Sequence, residues 1–446
     1  MSGHDRSRRS GPWSPGAFAL VFAAALGMSP CVTISRAQAP TYTLRDLGTL
    51  PGESFSVAWG INAGGQVVGW SGVSPTRAFL YRDGSGMVEL PGLPGQVFTL
   101  ARGINDAGVV VGGGWASGVP EQAIRWTTGV AEPLGVLDGT SESWDINKAG
   151  VSIGSSPAPG SMVTHAFIHT DAGGMVDIAP EYSATAYDVN DHGQVTGTLG
   201  TGAFLWSPGT GLQFLGSLPG YAYGNGRAVN NAGQVAGFAI NASGNASRVF
   251  RYTPGVGMVD LGGVGESNVV WGMNSQGDFV GEGSPTAGLK RAFVYTDVGG
   301  LRALNDLIDA SPRWFLLSAN DINDAGQIVG YGLDNVTGQK KAFRLDPIAR
   351  AGVTGSHEPR ALALAPAAPN PSASETRLVL TLGRGQHVSV GVFDIAGHQV
   401  ALLHDGPLAP GAHAFRVQGK VLPSGLYFIR TVGEGESVTQ RITVFH

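Results

Sequence analysis

The sequence predicts an all-β protein made of one four-stranded unit repeated seven times, with a smaller β-domain behind it. Three observations predict this. The chain of 446 residues holds 70 Gly and 26 Pro, and only 14% of its residues are charged against 42% apolar. That is enough apolar material for a core, with too many backbone breakers and too few charges for long solvated helices. A ten-residue motif recurs seven times at a nearly fixed spacing, the mark of a repeat architecture. One piece of the last repeat stands at the head of the chain instead of its end.

Residues 1–39 read as a secretory signal peptide. Arg6, Arg8 and Arg9 form a basic start, Ala17–Met28 an apolar run, and Ala37-Gln38-Ala39 a small-x-small cleavage pattern. The run is too short to span a bilayer core, which needs about 20 residues, so no transmembrane segment is expected in the mature chain. Removing 1–39 takes away four Arg, one Asp and the lone Cys31, which moves the formal charge from −5 to −8. A cysteine-free exported chain gains nothing from disulfides. An acidic one has no basic footprint for nucleic acid.

The repeat is carried by Asn62 in GINAGGQVVG and its counterparts Asn105, Asn147, Asn190, Asn230, Asn274 and Asn323, at spacings of 43, 42, 43, 40, 44 and 49 residues. A second block follows each copy: AFLY at Ala78, AIRW at Ala123, AFIH at Ala166, AFLW at Ala203, VFRY at Val249, AFVY at Ala292 and AFRL at Ala342. A third block, such as GMVEL or GLQFL, follows only six of them; the seventh version is TYTLRDLG at 41–48. In the first unit the strand-like segments are 56–61, 66–70, 78–81 and 87–90, each apolar-alternating and bounded by turn residues.

Four strands per 40–45 residues is the arithmetic of a propeller blade. A strand surplus at the head and one missing after Leu345 are reconciled if the ends meet, which hides both sheet edges. The expectation is therefore a seven-bladed β-propeller over residues 40–346, closed by Tyr42–Leu47.

The recurrent Asn starts an Asx-type turn, and a Gly takes the left-handed position behind it. A calcium loop is the alternative for that turn. Calcium wants 6–8 oxygens, several of them carboxylates, and only Asp106, Asp191 and Asp324 supply them, in three turns of seven. Three residues before each Asn stand Trp59, Arg102, Trp144, Tyr187, Arg227, Trp271 and Asn320; four before it the residues are nearly all small. Strand alternation puts these rows on opposite faces. The large row either packs blade against blade or rings a central opening, where aromatics and guanidiniums can stack a sugar.

No catalytic residue, metal site or cofactor is assigned. No nucleophile elbow, Walker loop or HExxH pattern is present, and His165 and His169 lack a third ligand nearby. Residues 347–367 are Ala/Pro-rich and read as a linker. Behind them lie strand-like runs at 377–382, 387–403, 412–417, 425–432 and 440–445, about seven short strands in 80 residues, which suggests a sandwich of the immunoglobulin kind over 368–446.

The repeats resemble the HAF-repeat family of extracellular bacterial proteins, with His165-Ala166-Phe167 the one full copy of its triplet. That resemblance implies an exported β-repeat protein and carries no activity. The tail resembles the immunoglobulin-like domains of flagellar hook-capping proteins and the sorting domains of type IX secretion, through its Pro369-Asn370-Pro371 opening and the segments 392–400, 410–417 and 423–432. It implies an address label or surface tether read by the secretion or sorting machinery.

The reading is an extracellular or cell-surface binding or scaffold protein, with a glycan or cell-envelope component as its partner. The alternatives are a carbohydrate-active enzyme on the same fold, which needs two carboxyl groups about 5–9 Å apart in a deep funnel, or a purely structural envelope component.

Overall fold

The computed structural model describes residues 41–161, 163–285, 288–297, 299–308, 313–348, 363–364, 375–382, 385–394, 398–433 and 437–445. The expected signal peptide lies outside the described residues, as does most of the expected linker. The chain divides into two compact units, one ending at Ile348 and the other beginning at Ala349. Both are all-β: the described residues include two single-turn 3-10 helices and no α-helix.

The first unit holds seven four-stranded antiparallel sheets. Six are simple meanders of consecutive strands. The first of them runs Ser56–Ile61, Val67–Ser71, Arg77–Arg82 and Gly86–Glu89. The seventh takes three strands from the end of the unit, Trp314–Ile322, Ile328–Asp334 and Gln339–Pro347, and its fourth from the head, Tyr42–Gly48. Leu44 stands opposite Leu345 in that pairing. The register slips after Asp46, and Leu47 leaves the ladder to be buried among Leu50, Phe79, Val329 and Ala342.

Each sheet shares a hydrophobic core with its successor. Leu80 of the first packs with Ile124 and Trp126 of the second, and Val294 of the sixth with Leu316 and Phe343 of the seventh. The seventh in turn shares a core with the first through Val329, Ala342, Ala58 and Phe79.

The Gly that ends each motif copy explains how one sheet holds its layers so close. Gly154 stands opposite both Ser143 on the first strand and Phe167 on the third. A Cβ there would lie 2.0 Å from the Glu142 carbonyl oxygen and 2.7 Å from the Phe167 ring. The absent side chain is the space into which the Phe of the second block folds, and Phe79, Phe167, Phe204, Phe250, Phe293 and Phe343 are all fully buried. Motif and block are two halves of one contact.

The described residues of the second unit form two antiparallel sheets. One is formed by Ala363–Leu364, Glu375–Leu382 and Gly411–Gln418; the other by Gln399–Leu408, Gln386–Phe393, Gly425–Val432 and Ser437–Val444. Alternate residues of both sheets, among them Leu378, Leu380, Val388, Val390, Val417, Ile429 and Ile442, make one core. The run expected at 387–403 is two strands, because Asp394 and His398 close a turn between them: the Asp394 carboxylate accepts from the His398 N–H at 2.9 Å. The short strand Ala363–Leu364 falls inside the stretch read as linker.

Candidate functional site

The first strand of every sheet carries a β-bulge at the same place. Ala58 and Gly60 are paired across to the second strand while Trp59 between them is skipped, and the same holds for Arg102, Trp144, Tyr187, Arg227, Trp271 and Asn320. The seven residues expected to form a ring are thus the seven bulge residues, and a bulge re-aims its side chain.

Six of them converge on one another. Trp59 lies with its ring centroid 5.1 Å from Trp271 and 6.4 Å from Trp144, and Trp144 meets Tyr187 edge-on at 5.1 Å. The Arg102 guanidinium sits 3.8 Å above Trp144; that of Arg227 is 3.9 Å from Tyr187 and 4.3 Å from Trp271. These are cation–π contacts between the protein's own groups. Asn320 turns aside, donating to the Ala58 carbonyl at 2.8 Å and accepting from the Ser318 hydroxyl at 2.7 Å. The rings and guanidiniums thus pack on one another as a plug, while the four aromatics stay half-buried and line the inner cavity.

The two arginines are held differently. Arg102 is ion-paired with Glu142, and Glu121 beside them has its carboxyl pushed up to about 7, first by burial and then by the Glu142 charge. Arg227 is nine-tenths buried and has no carboxylate within ion-pair distance among the described residues; burial lowers its guanidinium to about 10.

One residue beyond the plug, the repeat is broken. Gly60, Gly103, Ala228 and Gly272 occupy this position in four sheets, but Asp145, Asp188 and Asp321 occupy it in the other three. Each aspartate bonds across to the next sheet. Asp145 accepts from the Val189 N–H at 3.2 Å, Asp188 from Val229 at 2.5 Å and Asp321 from Ile61 at 2.9 Å. The Asp188 carboxyl also touches that of Asp145, and burial followed by the Asp145 charge holds it well above the usual carboxylate range. Burial pushes Asp321 up to about 7. None of the three has an ion-pair partner among the described residues.

The outermost layer is the set of Asn turns. Asn62 accepts from the Gln66 N–H at 3.0 Å, and Gly65 behind it takes φ +73°, where a side chain would be strained. All seven Asn are buried. Their amides also stitch sheets together: Asn62 donates to the carbonyl of Asn105, Asn105 to Asn147, Asn147 to Asn190, Asn190 to Asn230 and Asn323 to Asn62, at 2.8–3.2 Å. At the sixth sheet the pattern changes, and Asn230 reaches the Ser275 carbonyl at 3.5 Å.

Two cavities follow from this layering. A funnel of about 230 Å³ is walled by the Asn turns and floored by Asp145, Asp188 and Asp321. A chamber of about 70 Å³ lies between those aspartates and the plug, lined by Trp59, Arg102, Trp144, Tyr187 and Trp271. The three aspartates line both cavities, so they partition them. Sequence reasoning passed over them although the signal was in view: the triplets Asp145-Ile146-Asn147, Asp188-Val189-Asn190 and Asp321-Ile322-Asn323 depart from their four counterparts.

His165, by contrast, is buried and bonded to Asp177 at 2.6 Å within its own sheet. Among the described residues no cluster of three or more His, Cys, Asp or Glu has metal-site geometry, and no helix is long and apolar enough to cross a membrane.

Residues 367–445 match the secretion system C-terminal sorting domain, the tail of type IX secretion substrates. That tail indicates export to the cell surface or the extracellular space and an interaction with the secretion machinery. No match was found among curated proteins. Among solved structures the chain is similar to a fungal alcohol oxidase of the AA5 family in complex with copper, at 12% identity over 92% of this chain and 100% of that one, with a TM-score of 0.44. It is also similar to PorZ, a surface component of the type IX secretion system of Porphyromonas gingivalis, at 12% identity over 87% and 70% of the two chains and a TM-score of 0.25. A third similarity is to the Dos1 propeller, at 11% identity over 91% and 97%, with a TM-score of 0.28.

Proposed function

We propose that this exported protein is a surface-associated binding module: a closed seven-bladed β-propeller of HAF-like repeats whose Asn-turn face presents the axial funnel to a polar ligand, followed by an immunoglobulin-like sorting or anchoring domain. Closure is supported by the pairing of Tyr42–Gly48 with Gln339–Pro347 and by the bond from Asn323 to the Asn62 carbonyl. The six interlocked bulge residues lie beneath the aspartates, on the far side of the inner chamber, and give the site rigidity.

The observation that carries the reading is the broken symmetry at the funnel base. Residues repeated in every blade serve the fold. Three half-buried aspartates in three blades of seven, with no cationic partner among the described residues, carry a desolvation cost that packing alone does not require. A glycan of the cell envelope, with hydroxyls that can donate to these carboxyls, is the ligand class that fits. The test is a glycan and peptidoglycan binding screen on the mature chain, repeated on Asp145→Asn and Asp188→Asn. Binding that both variants leave unchanged would remove the funnel from the reading.

A second reading, a hydrolase, draws on the same pair. Two carboxyls in contact, with burial and the neighbouring charge raising that of Asp188 above the usual carboxylate range, suit the pairing of an acid with a base. They stand closer than the 5 Å or more that separates glycosidase carboxyls, so turnover of a glycoside in the same screen would have to employ another geometry.

A further inference from the structure

The aspartate layer does something the binding reading does not require: it separates two cavities and is built of groups that can change charge. Asp145, Asp188, Asp321 and Met273 are the residues that line both the funnel and the inner chamber. Asp145 and Asp188 belong to neighbouring sheets and meet over one N–H, that of Val189, which lies 3.2 Å from an oxygen of Asp145 and 2.9 Å from one of Asp188. Two carboxylates cannot share such a position with both charges in place; one proton between them turns repulsion into a hydrogen bond. The other oxygens grip adjacent sheets, Asp188 at Val229 and Asp321 at Ile61, so a change in charge at this layer is felt across several sheets.

The surrounding charges do not neutralise the layer. On the chamber side Arg102 is committed to Glu142, and Tyr187 lies under Arg227. On the funnel side Lys148 approaches Asp106 at 3.9 Å, while Asp191 and Asp324 add negative charge.

We propose that Asp145, Asp188 and Asp321 form a proton-operated gate between the funnel and the inner chamber. The gate is shut while Asp145 and Asp188 share a proton. It opens when that proton leaves to funnel water and the carboxylates repel. Burial holds the Asp188 carboxyl well above the usual carboxylate range and pushes that of Asp321 up to about 7, so the layer gives up its protons at a higher pH than free carboxyls do.

The chamber wall supplies the readout, because Trp59, Trp144 and Trp271 line it. On the full mature chain, tryptophan emission and acrylamide quenching are followed from about pH 5 to about pH 9, across the shifted titration. An opening gate lets water reach the plug, so emission shifts to the red and quenching rises, reversibly, as pH increases. Asp188→Asn carries no charge at any pH; its amide can donate to Asp145 where Asp145 alone keeps the Val189 N–H, and its remaining oxygen keeps the Val229 N–H, so the shut form persists and the transition is lost. Asp145→Asn gives the same result and covers the case in which the first variant does not fold. Trp271→Phe reduces the amplitude and leaves the midpoint. A flat wild-type profile, or Asn variants that titrate like wild type, overturns the gate without touching the binding reading, whose test is ligand capture at fixed pH.

Discussion

Asp145 and Asp188 hold carboxyl oxygens against the same backbone N–H, that of Val189, at 3.2 and 2.9 Å. The contact joins two sheets at the one layer where the repeat departs from its pattern. Its neighbour Asp321 offers the cleanest measure of what such a buried acid does to stability. Its carboxyl is raised from 3.8 to about 7, so between those values the folded state holds a proton that the unfolded chain has released. Stability therefore falls as pH rises through that window and levels off above it. At roughly 1.4 kcal/mol for each tenfold change in proton affinity, the loss is on the order of 4 kcal/mol. Asp321→Asn removes the titration and keeps an acceptor for one N–H. Thermal melts at several pH values should show the wild-type midpoint falling from about pH 4 to about pH 8, with a flatter variant that overtakes it at the alkaline end.

The glycine that closes each motif copy is the tightest position in the fold. A Cβ at Gly237 would stand 2.0 Å from the Asn225 carbonyl oxygen and 2.6 Å from the Phe250 ring, with rigid backbone on one side and a buried aromatic on the other. Gly237→Ala should cost more than about 3 kcal/mol, from overpacking at a site that cannot yield. Gly209→Ala is the control: φ is +82° and no atom lies within 4 Å, so only backbone strain of about 1 kcal/mol is expected. Urea denaturation of the two variants separates the mechanisms.

How much of this was legible beforehand follows from what each signal depends on. The four-stranded unit and the head strand that completes the seventh sheet were readable, because turn residues and β-patterned runs are local and were repeated seven times. Trp59, Arg102, Trp144 and their counterparts were readable as a set, yet not as a plug. Strict alternation places a row of side chains on a face, while the bulge that aims them at one another is a property of pairing with the second strand. The strand at Ala363–Leu364 hid in an Ala/Pro-rich stretch, because its pairing with Thr381 and Leu380 is non-local. Asp145, Asp188 and Asp321 were passed over for another reason: consensus reading weights what recurs, and they are the departures from it.

The two arginines should respond differently to loss of charge. Arg102→Met strands Glu142 next to Glu121, whose carboxyl already sits at about 7, and two acids then face each other without a cation. A loss of roughly 1–3 kcal/mol is expected, growing with pH. Arg227→Met leaves no carboxylate stranded, since Glu282 nearby is held by Lys290. It gives up cation–π contact with Tyr187 and Trp271 worth about 0.5–2 kcal/mol and removes the cost of burying a guanidinium. Its stability should stay within about 1 kcal/mol of wild type. Equal losses in the two variants would mean that the plug is held by stacking alone.

The Asn turns allow the stitching between sheets to be measured apart from the turn itself. Asn62 and Asn230 share two local bonds: each accepts from the N–H four residues on, at 3.0 Å, and donates to a Gln side chain at 2.8 Å. Asn230 also accepts from the Ala232 N–H at 3.1 Å, a bond that a carboxylate oxygen keeps. The donors differ in the bond between sheets. Asn62 reaches the Asn105 carbonyl at 3.0 Å, while Asn230 reaches Ser275 at 3.5 Å, the outer limit of a hydrogen bond. Replacing either by Asp keeps the accepting oxygen, removes the donors, and lets Gln66 or Gln234 turn its own amide toward the new carboxylate. What remains is the inter-sheet bond. Asn62→Asp should therefore cost about 1 kcal/mol more than Asn230→Asp, read as a difference in urea midpoints at unchanged slope. Were the two variants equally stable, the amide contacts between sheets would contribute nothing, and hydrophobic packing of the kind between Leu80 and Ile124 would have to hold neighbouring sheets alone.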